Sequence, residues 1–243
     1  MNSLSKNKRK DDKSRQILYK EYPYVILCEG QDEKNFLIWY LEYLKKNEQT
    51  FQDKHNIIDF GGNEDLERTL KTISLTDFYD DMKSFLIIRD AERDVEVAIK
   101  SLKAQIKRNW NINLEADGAP KKNSDGVKVG FFLLPGMNES GNFRNGTLED
   151  LCLELVQIPS RENISAKDIY SLTLEFLTEI KNRRNIDFSR IHKNRIHALL
   201  SGTDKFVGMK IGEAAKSGAF DFSSEYLSIF RKRILQMQDS DFN

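Results

Sequence analysis

The stretch Tyr24-Val25-Ile26-Leu27-Cys28-Glu29-Gly30 decides the fold. Its first five residues form an unbroken apolar run, which predicts a strand buried on both faces, and Glu29-Gly30 predicts a sharp turn where that strand ends. From residue 32 or 33 to about residue 46, apolar residues recur at helical spacing. Acids in the first turn and lysines in the last turn favour a helix there. The predicted unit is therefore strand, tight turn, helix.

The same unit recurs further along the chain. Strands are predicted at 56–60, 84–88 and 127–134, and the segments that follow them, from about 63 to 73, 97 to 106 and 151 to 156, have helical spacing. The polar stretch 111–126 predicts a loop. Strands that alternate with helices form parallel sheets with right-handed crossovers. The sequence thus predicts an α/β domain over residues 21–160, with a mostly parallel four-stranded sheet flanked by helices.

The two ends of the chain depart from this pattern. Residues 1–20 are polar and basic and contain no apolar segment of the secretory type, so we expect a disordered basic tail. Residues 161–243 predict helices only, at 166–181, 189–200, about 206–216 and 225–236, packed on the α/β domain. The longest uncharged apolar run is far shorter than the ~18 residues that a membrane span needs.

The cysteine spacing and the charge balance limit the possible functions. Cys28 and Cys152 have no CxxC spacing, which excludes a disulfide framework or zinc knuckle and favours a cytoplasmic setting. Lys+Arg and Asp+Glu number 38 each, so the chain cannot coat nucleic acid by bulk charge. Between residues 181 and 243, however, twelve Lys+Arg face seven Asp+Glu. This region is either a basic surface for nucleic acid or a helical cap with solvated basic faces.

Acidic residues follow three of the predicted strands. Glu29 and Glu33 come after the first, Asp90 and Glu92 after the third, and Glu149 beyond the fourth. Ligands of open parallel sheets bind at the carboxyl ends of the strands, so we expect these acids to converge.

Converging carboxylates need a compensating cation or a shared proton. Two unit charges ~4 Å apart repel by ~4 kcal/mol at an effective dielectric of about 20. Oxygen ligands without thiolate or imidazole suit Mg²⁺ or Mn²⁺. Neighbouring polar residues have simpler interpretations: Asp32 as a first-turn acid, Asp94 and Asp150 as helix caps, and the three histidines as surface or packing residues.

Several of these segments resemble TOPRIM domains. Val25-Ile26-Leu27-Cys28-Glu29-Gly30 is similar to their first motif, and Asp90-Ala91-Glu92 to their Asp-x-Asp motif, with Glu in the second acidic place. The spacing of Glu29 and Glu33 resembles the Glu-x-x-x-Asp of OLD-family nucleases. Segments 131–135, 146–150, 192–198 and 208–214 look like a bacterial TOPRIM-like family of uncharacterised function. The resemblance covers nearly the whole chain after residue 20.

The resemblance implies a metal-dependent nuclease acting on DNA or RNA. Glu29 would be the general acid/base and also a metal-binding residue, while Asp90 and Glu92 would hold Mg²⁺ or Mn²⁺. Glu33 and Glu149 would complete the metal shells, and two lysines, Lys193 and Lys205, would meet the scissile phosphate. The resemblance also implies an ABC-type ATPase partner and a role in phage defence. Assembly into a homo-oligomer stays open.

Two other functions are alternatives to a nuclease. A non-catalytic regulatory or binding module, active only with a partner, is favoured by Glu92 in place of Asp, by Gly136 after the Leu134-Pro135 pair, and by zero net charge. A phosphoacceptor receiver would use Asp90 as its acceptor. It would also need a lysine after a fifth strand, which the sequence pattern does not provide.

Overall fold

The structure is a computed structural model that describes residues 21–62, 65–157 and 166–239. The predicted tail, the predicted start of the second helix at residue 63 and the predicted domain boundary at 160/161 lie outside these residues. The strands are β1 (Tyr24–Cys28), β2 (His55–Asp59), β3 (Ser84–Asp90), β4 (Lys121–Lys122) and β5 (Lys128–Leu134). The helices are α1 (Gln31–Asn47), α2 (Leu66–Ile73), α3 (Val95–Trp110), α4 (Leu148–Leu155), α5 (Ala166–Arg184), α6 (Ile191–Ser201), α7 (Ile211–Lys216) and α8 (Ser228–Gln238).

The sheet has the strand order β2-β1-β3-β5-β4. The first four strands in this order are parallel to one another, and β4 pairs antiparallel with β5. Every residue of β1, β3 and β5 is buried, which explains their continuous apolar runs. Cys28 of β1 is level with Ile88 of β3, so the carboxyl ends of these central strands reach the same edge of the sheet. The predicted α/β class and mostly parallel sheet are confirmed.

The prediction of four strands was wrong by one, because β4 lies within the stretch predicted as a loop. The Asn123 side chain accepts hydrogen bonds from the backbone N–H groups of Asp125 and Val127, which closes a tight turn into β5. The two β4 residues are exposed lysines, which suit a sheet edge but show no apolar alternation. Such a strand has no signal in the hydrophobic pattern.

Helices cover both faces of the sheet. On one face, aromatic rings join α1 to α8, with Tyr40 stacked on Phe230 at 5.4 Å and Phe230 at 4.7 Å from Phe132 of β5. On the other face, Phe85 of β3 packs against Trp110 of α3, with ring centroids 4.4 Å apart. Right-handed crossovers account for this division. The connection from β1 to β2 and the connection from β2 to β3 move in opposite directions along the sheet, so they place their helices on opposite faces.

Three of the C-terminal helices, α6, α7 and α8, contact strands or helices of the N-terminal α/β region. α8 contacts β3 and β5, α7 contacts α1, and α6 contacts α4. The helix predicted from about residue 206 begins only at Ile211, because Gly208 has φ +74° and Lys210 is extended, with its backbone N–H bonded to Glu213. None of the helices in the described residues is long and apolar enough to cross a membrane.

Candidate functional site

A cleft opens at the carboxyl edge of the sheet, between the ends of β1 and β3. The chain leaves β1 towards β2 on one side and leaves β3 towards β5 on the other, so this is the switch point at which ligands of open α/β sheets bind. The volume of the cleft is about 760 Å³, within the ~300–1,000 Å³ that is typical of ligand sites. We call it the acidic cleft. Six carboxylic residues line it: Glu29, Asp32, Glu33, Asp90, Glu92 and Glu149.

All five predicted metal-binding acids therefore meet in the acidic cleft. Glu29 follows β1, Glu33 lies in the first turn of α1, and Asp90 ends β3. Glu92 is two residues beyond β3, and Glu149 is in the first turn of α4. Lys193, predicted to meet the phosphate, lines the same cleft from α6. Lys205 is not among the lining residues, since its Nζ lies over the Phe206 ring, 4.9 Å from the centroid.

Glu29 is paired with a buried arginine that sequence reasoning missed. Arg89 Nε lies 3.9 Å from Glu29 Oε2, and the Arg89 side chain is only 9% exposed. Glu29 Oε2, Arg89 Nε and Arg89 Nη1 are buried and have no hydrogen-bond partner in the described part of the chain. Burial raises the pKa of Glu29, although Arg89 opposes the increase. Arg89 is thus a buried cation of the protein itself that partly compensates the charge of the acids.

Repulsion among the acids is visible at Glu33 and Asp90. Burial, with added repulsion from Glu149 and other acids, raises the pKa of Glu33 to about 7. Burial and the nearby Glu33 carboxylate also raise the pKa of Asp90 well above its ordinary value. One bond partly offsets this at Asp90, where the backbone N–H of Leu148, at the start of α4, donates to Oδ1 at 2.9 Å. The cleft therefore favours protonated carboxyls or an added cation.

The backbone at Glu92 is held in an uncommon conformation. Its φ is +59°, which is rare for a residue other than glycine. Two backbone hydrogen bonds of 2.8 Å join Glu92 to Gly146, one in each direction. Gly146 must lack a side chain, because a Cβ there would lie 2.8 Å from Asp150 Oδ2 and 2.9 Å from Pro135. The loop before α4 thus fixes the chain at Glu92, whose side chain is exposed.

Basic residues of the C-terminal helices form the other side of the cleft. Arg190 directly precedes α6, Lys193 lies in α6, and Lys210 directly precedes α7. Lys193 Nζ lies 3.2 Å from Glu149 Oε1 and 3.9 Å from Asp32 Oδ2. Partial burial alone would lower the pKa of Lys193, but these carboxylates outweigh burial, so its pKa is raised and the amine stays charged.

Both predicted helix caps are confirmed. Asp94 accepts from the backbone N–H of Val97 at the start of α3. Asp150 closes the start of α4, where its Oδ2 accepts from the backbone N–H and the hydroxyl of Thr147. Asp150 has a second contact as well, with His192. His192 and His197, which the sequence analysis treated as surface or packing residues, both line the cleft.

Comparison with protein families identifies the chain. The family described as "Protein of unknown function (DUF3226)" matches residues 23–237. The chain belongs to the DUF3226 family. The matched residues include all six acids of the cleft and the basic residues of α6. Neither a curated protein nor a solved structure matches the chain.

The acidic cleft of this DUF3226 protein is not a ready-made metal site. Within the described ranges, no three side chains of His, Cys, Asp or Glu are grouped closely enough to hold an ion. Two features nevertheless suit a cation: the buried Glu29 Oε2 without a hydrogen-bond partner, and the raised pKa values of Glu33 and Asp90. The donor set is all oxygen, as Mg²⁺ and Mn²⁺ prefer. An ion would have to draw these carboxylates together.

Cysteine chemistry plays no part in this cleft. Cys28 and Cys152 are free, as predicted, and completely buried. Burial raises the pKa of both thiols well above the ordinary value, so neither is a thiolate near neutral pH. The ionisable side chains that line the acidic cleft are therefore carboxylates, imidazoles and basic groups.

Proposed function

We propose that the protein is a divalent-metal-dependent phosphodiesterase that cleaves DNA or RNA, built on a TOPRIM-like domain. One observation carries the proposal: carboxylates from the ends of β1 and β3 and from α4 line one cleft, which faces the basic residues of α6 and α7. A carboxylate cluster alone would repel a phosphodiester, and a basic surface alone would bind it without chemistry. Their combination suits a metal ion and its phosphate substrate.

The acids have separate roles in this proposal. Asp90, fixed by the Leu148 N–H, and Glu92, Glu33 and Glu149 would hold Mg²⁺ or Mn²⁺. Such an ion neutralises charge on the phosphate and activates water. Glu29 is the general acid/base, because burial raises the pKa of its carboxyl, and the Arg89 guanidinium lies 3.9 Å from it.

The basic side binds the substrate backbone. Arg190, Lys193 and Lys210 present permanent charges to the cleft, and Lys193 already bridges Glu149 and Asp32. A phosphate that enters the cleft would compete with these carboxylates for the Lys193 ammonium. The metal would compete for Glu149 in turn. Substrate and ion therefore assist each other, since each takes over one partner of an existing ion pair.

Cleavage assays test the proposal. Purified protein is incubated with single- and double-stranded DNA and with RNA, in Mg²⁺ or Mn²⁺, and compared with Glu29→Gln and Asp90→Asn. Glu29→Gln should reduce the rate by at least ~10²-fold, the lower end of what general acid–base catalysis contributes, and Asp90→Asn should reduce it by weakening metal binding. Glu96→Gln, in the exposed first turn of α3, is the control and should keep full activity. Absence of cleavage, or equal cleavage by Glu29→Gln, would contradict the proposal.

A regulatory module is the second candidate. The observation that favours it is that resident cations, Arg89 and Lys193, already lie beside Glu29 and Glu149. In this alternative the cleft binds a partner or nucleotide without cleavage, and an ABC-type ATPase supplies activity. Calorimetry with Mn²⁺ separates the two candidates. Binding that disappears in Asp90→Asn supports the nuclease, and no binding by the wild type supports the module.

The biological setting is proposed from the resemblance to TOPRIM-like proteins. We propose a cytoplasmic protein that acts with an ABC-type ATPase in phage defence. Two buried free thiols suit a reducing compartment. Co-expression with a neighbouring ATPase gene, followed by affinity purification and plaque counting with Glu29→Gln as the inactive control, tests both points.

A further inference from the structure

His192 and Asp150 form a hydrogen-bonded pair at the edge of the acidic cleft. His192 Nδ1 lies 2.9 Å from the Asp150 carboxylate, and the His192 side chain is about one third exposed. The pair joins the first turn of α6 to the first turn of α4. His192 lines the cleft, whereas Asp150 is not among the lining residues. The His192 ring therefore has Nδ1 in contact with a carboxylate, and the same residue lines the cleft.

Asp150 is itself held firmly. Its Oδ2 accepts from the Thr147 backbone N–H at 2.9 Å and from the Thr147 hydroxyl at 3.1 Å. An ionised carboxylate is only an acceptor, so the hydrogen on the His192 ring must be on Nδ1. The other nitrogen, Nε2, is then the one available for proton transfer to a substrate. A carboxylate that contacts one ring nitrogen of a histidine fixes the tautomer and the orientation of the ring.

Two basic residues on the α6 side of the cleft, Arg190 and Lys193, hold their protons. Arg190 is permanently charged, and the carboxylates around Lys193 raise the pKa of its amine. The two histidines remain, and they differ in one respect. His192 is fixed by Asp150, whereas His197, one turn further along α6, is exposed and has no hydrogen bond within the described residues.

We infer that His192 is the proton donor to the leaving oxygen in phosphodiester cleavage, and that Asp150 is its positioning residue. This inference rests on the proposed function. A water oxygen bonds to phosphorus while the bond from phosphorus to the leaving sugar oxygen breaks. The electron pair of that bond stays on the sugar oxygen, which takes the proton from His192 Nε2. The proton of the water passes to Glu29, and exchange with solvent resets both groups.

Sulfur-substituted substrates test this role. The full-length protein is given a substrate with an ordinary phosphodiester, and matched ones with sulfur as the bridging 3′ or 5′ atom. A thiolate leaves without a proton, because thiols are much stronger acids than alcohols. His192→Ala should cut the ordinary substrate ~10²–10⁴-fold more slowly. On the substrate with sulfur at the leaving position its loss should fall below about tenfold, since a thiolate leaving group needs little general acid catalysis.

Three further variants complete the experiment. His192→Asn keeps an N–H group that can donate to Asp150 but has no group that can donate a proton in place of Nε2. It should therefore show the same substrate dependence as His192→Ala, and it serves as the test if the alanine variant folds poorly. Asp150→Asn should show the same substrate dependence, because an amide towards Nδ1 favours the wrong tautomer. Glu96→Gln, an exposed position of α3 outside the cleft, is the control and should cleave all substrates at wild-type rates.

The outcomes separate the inference from the proposed function. If the wild type cleaves and the His192 variants lose equal activity on oxygen and sulfur substrates, His192 is not the proton donor, although the nuclease proposal stands. Wild-type activity in His192→Asn overturns the inference in the same way. If the wild type cleaves none of the substrates with Mg²⁺ or Mn²⁺, both fail.

Discussion

Glu33→Gln should make the metal-free protein more stable at pH 8 and hardly change it at pH 5. Glu33 is mostly buried among other acids, and its pKa rises from 4.5 to about 7 on folding. At ~1.36 kcal/mol per pKa unit, ionisation of Glu33 costs the folded state about 3.4 kcal/mol once the pH exceeds 7. The unfolded chain ionises near 4.5. The cost is therefore absent at low pH, and it grows as the pH rises from 4.5 to 7.

The helix dipole reduces the gain. Glu33 lies in the first turn of α1, where a negative charge is worth about 0.3–1 kcal/mol. The expected net stabilisation by Glu33→Gln is thus about 2–3 kcal/mol at pH 8 and under about 1 kcal/mol at pH 5. Glu96→Gln is the matched control, because Glu96 has the same first-turn place in α3 but is exposed outside the cleft. It should lose a few tenths of a kcal/mol at both pH values.

Urea unfolding in EDTA, followed by circular dichroism at both pH values, measures these free energies. Equal stabilisation at pH 5 and pH 8, or none at pH 8, would refute the claim that ionisation of the buried Glu33 carboxyl destabilises the folded protein. Saturating Mn²⁺ should reverse the order, because an ion that binds only the folded wild type adds about 2.7 kcal/mol at a hundred times its Kd.

Three other perturbations have outcomes set by the structure. Burial lowers the pKa of His55 from 6.5 to about 4. Because the unfolded chain then takes up the His55 proton at a higher pH than the folded protein, the free energy of unfolding of the wild type should fall by about 3.4 kcal/mol as the pH falls from 6.5 to 4. Acid unfolding of His55→Gln should lack this loss. Gly146→Ala would place a Cβ 2.8 Å from Asp150 Oδ2, so it should lower both the melting temperature and the Mn²⁺ affinity. Gly212→Ala would place a Cβ 2.3 Å from Asn35 Cβ, between α7 and α1, and urea unfolding should show a loss of ~1–3 kcal/mol.

The sheet was predictable because its central strands are buried on both faces. Residues 24–28 and, after Ser84, residues 85–88 are continuous apolar runs, and the structure confirms the strands predicted there, extending the second to Asp90. Helix starts were harder to place, since the apolar pattern continues through a non-helical approach. Ile211 begins a helix only after Gly208 has turned the chain, and that turn depends on φ rather than on hydrophobicity.

The acids of the cleft were predictable and their partners were not. Glu29 and Asp90 end strands whose direction the sequence pattern fixes, so their convergence follows from the topology. Arg89 pairs with Glu29 across two strands, and His192 pairs with Asp150 over 42 positions. A basic or imidazole side chain on a helix has the same local pattern whether it faces solvent or a cleft. Arg89 did leave one signal, as a charged residue at the end of an apolar run.

The central claim is that the acidic cleft holds a divalent cation. Crystals soaked in Mn²⁺ and measured at the manganese absorption edge test it most directly, because the anomalous signal locates the ion without reference to activity. We predict a peak bound by carboxylate oxygens of Asp90 and its neighbours Glu33 and Glu149, and its loss in Asp90→Asn crystals treated alike. A cleft without a peak in the wild type, or a peak only at surface acids elsewhere, would contradict the claim.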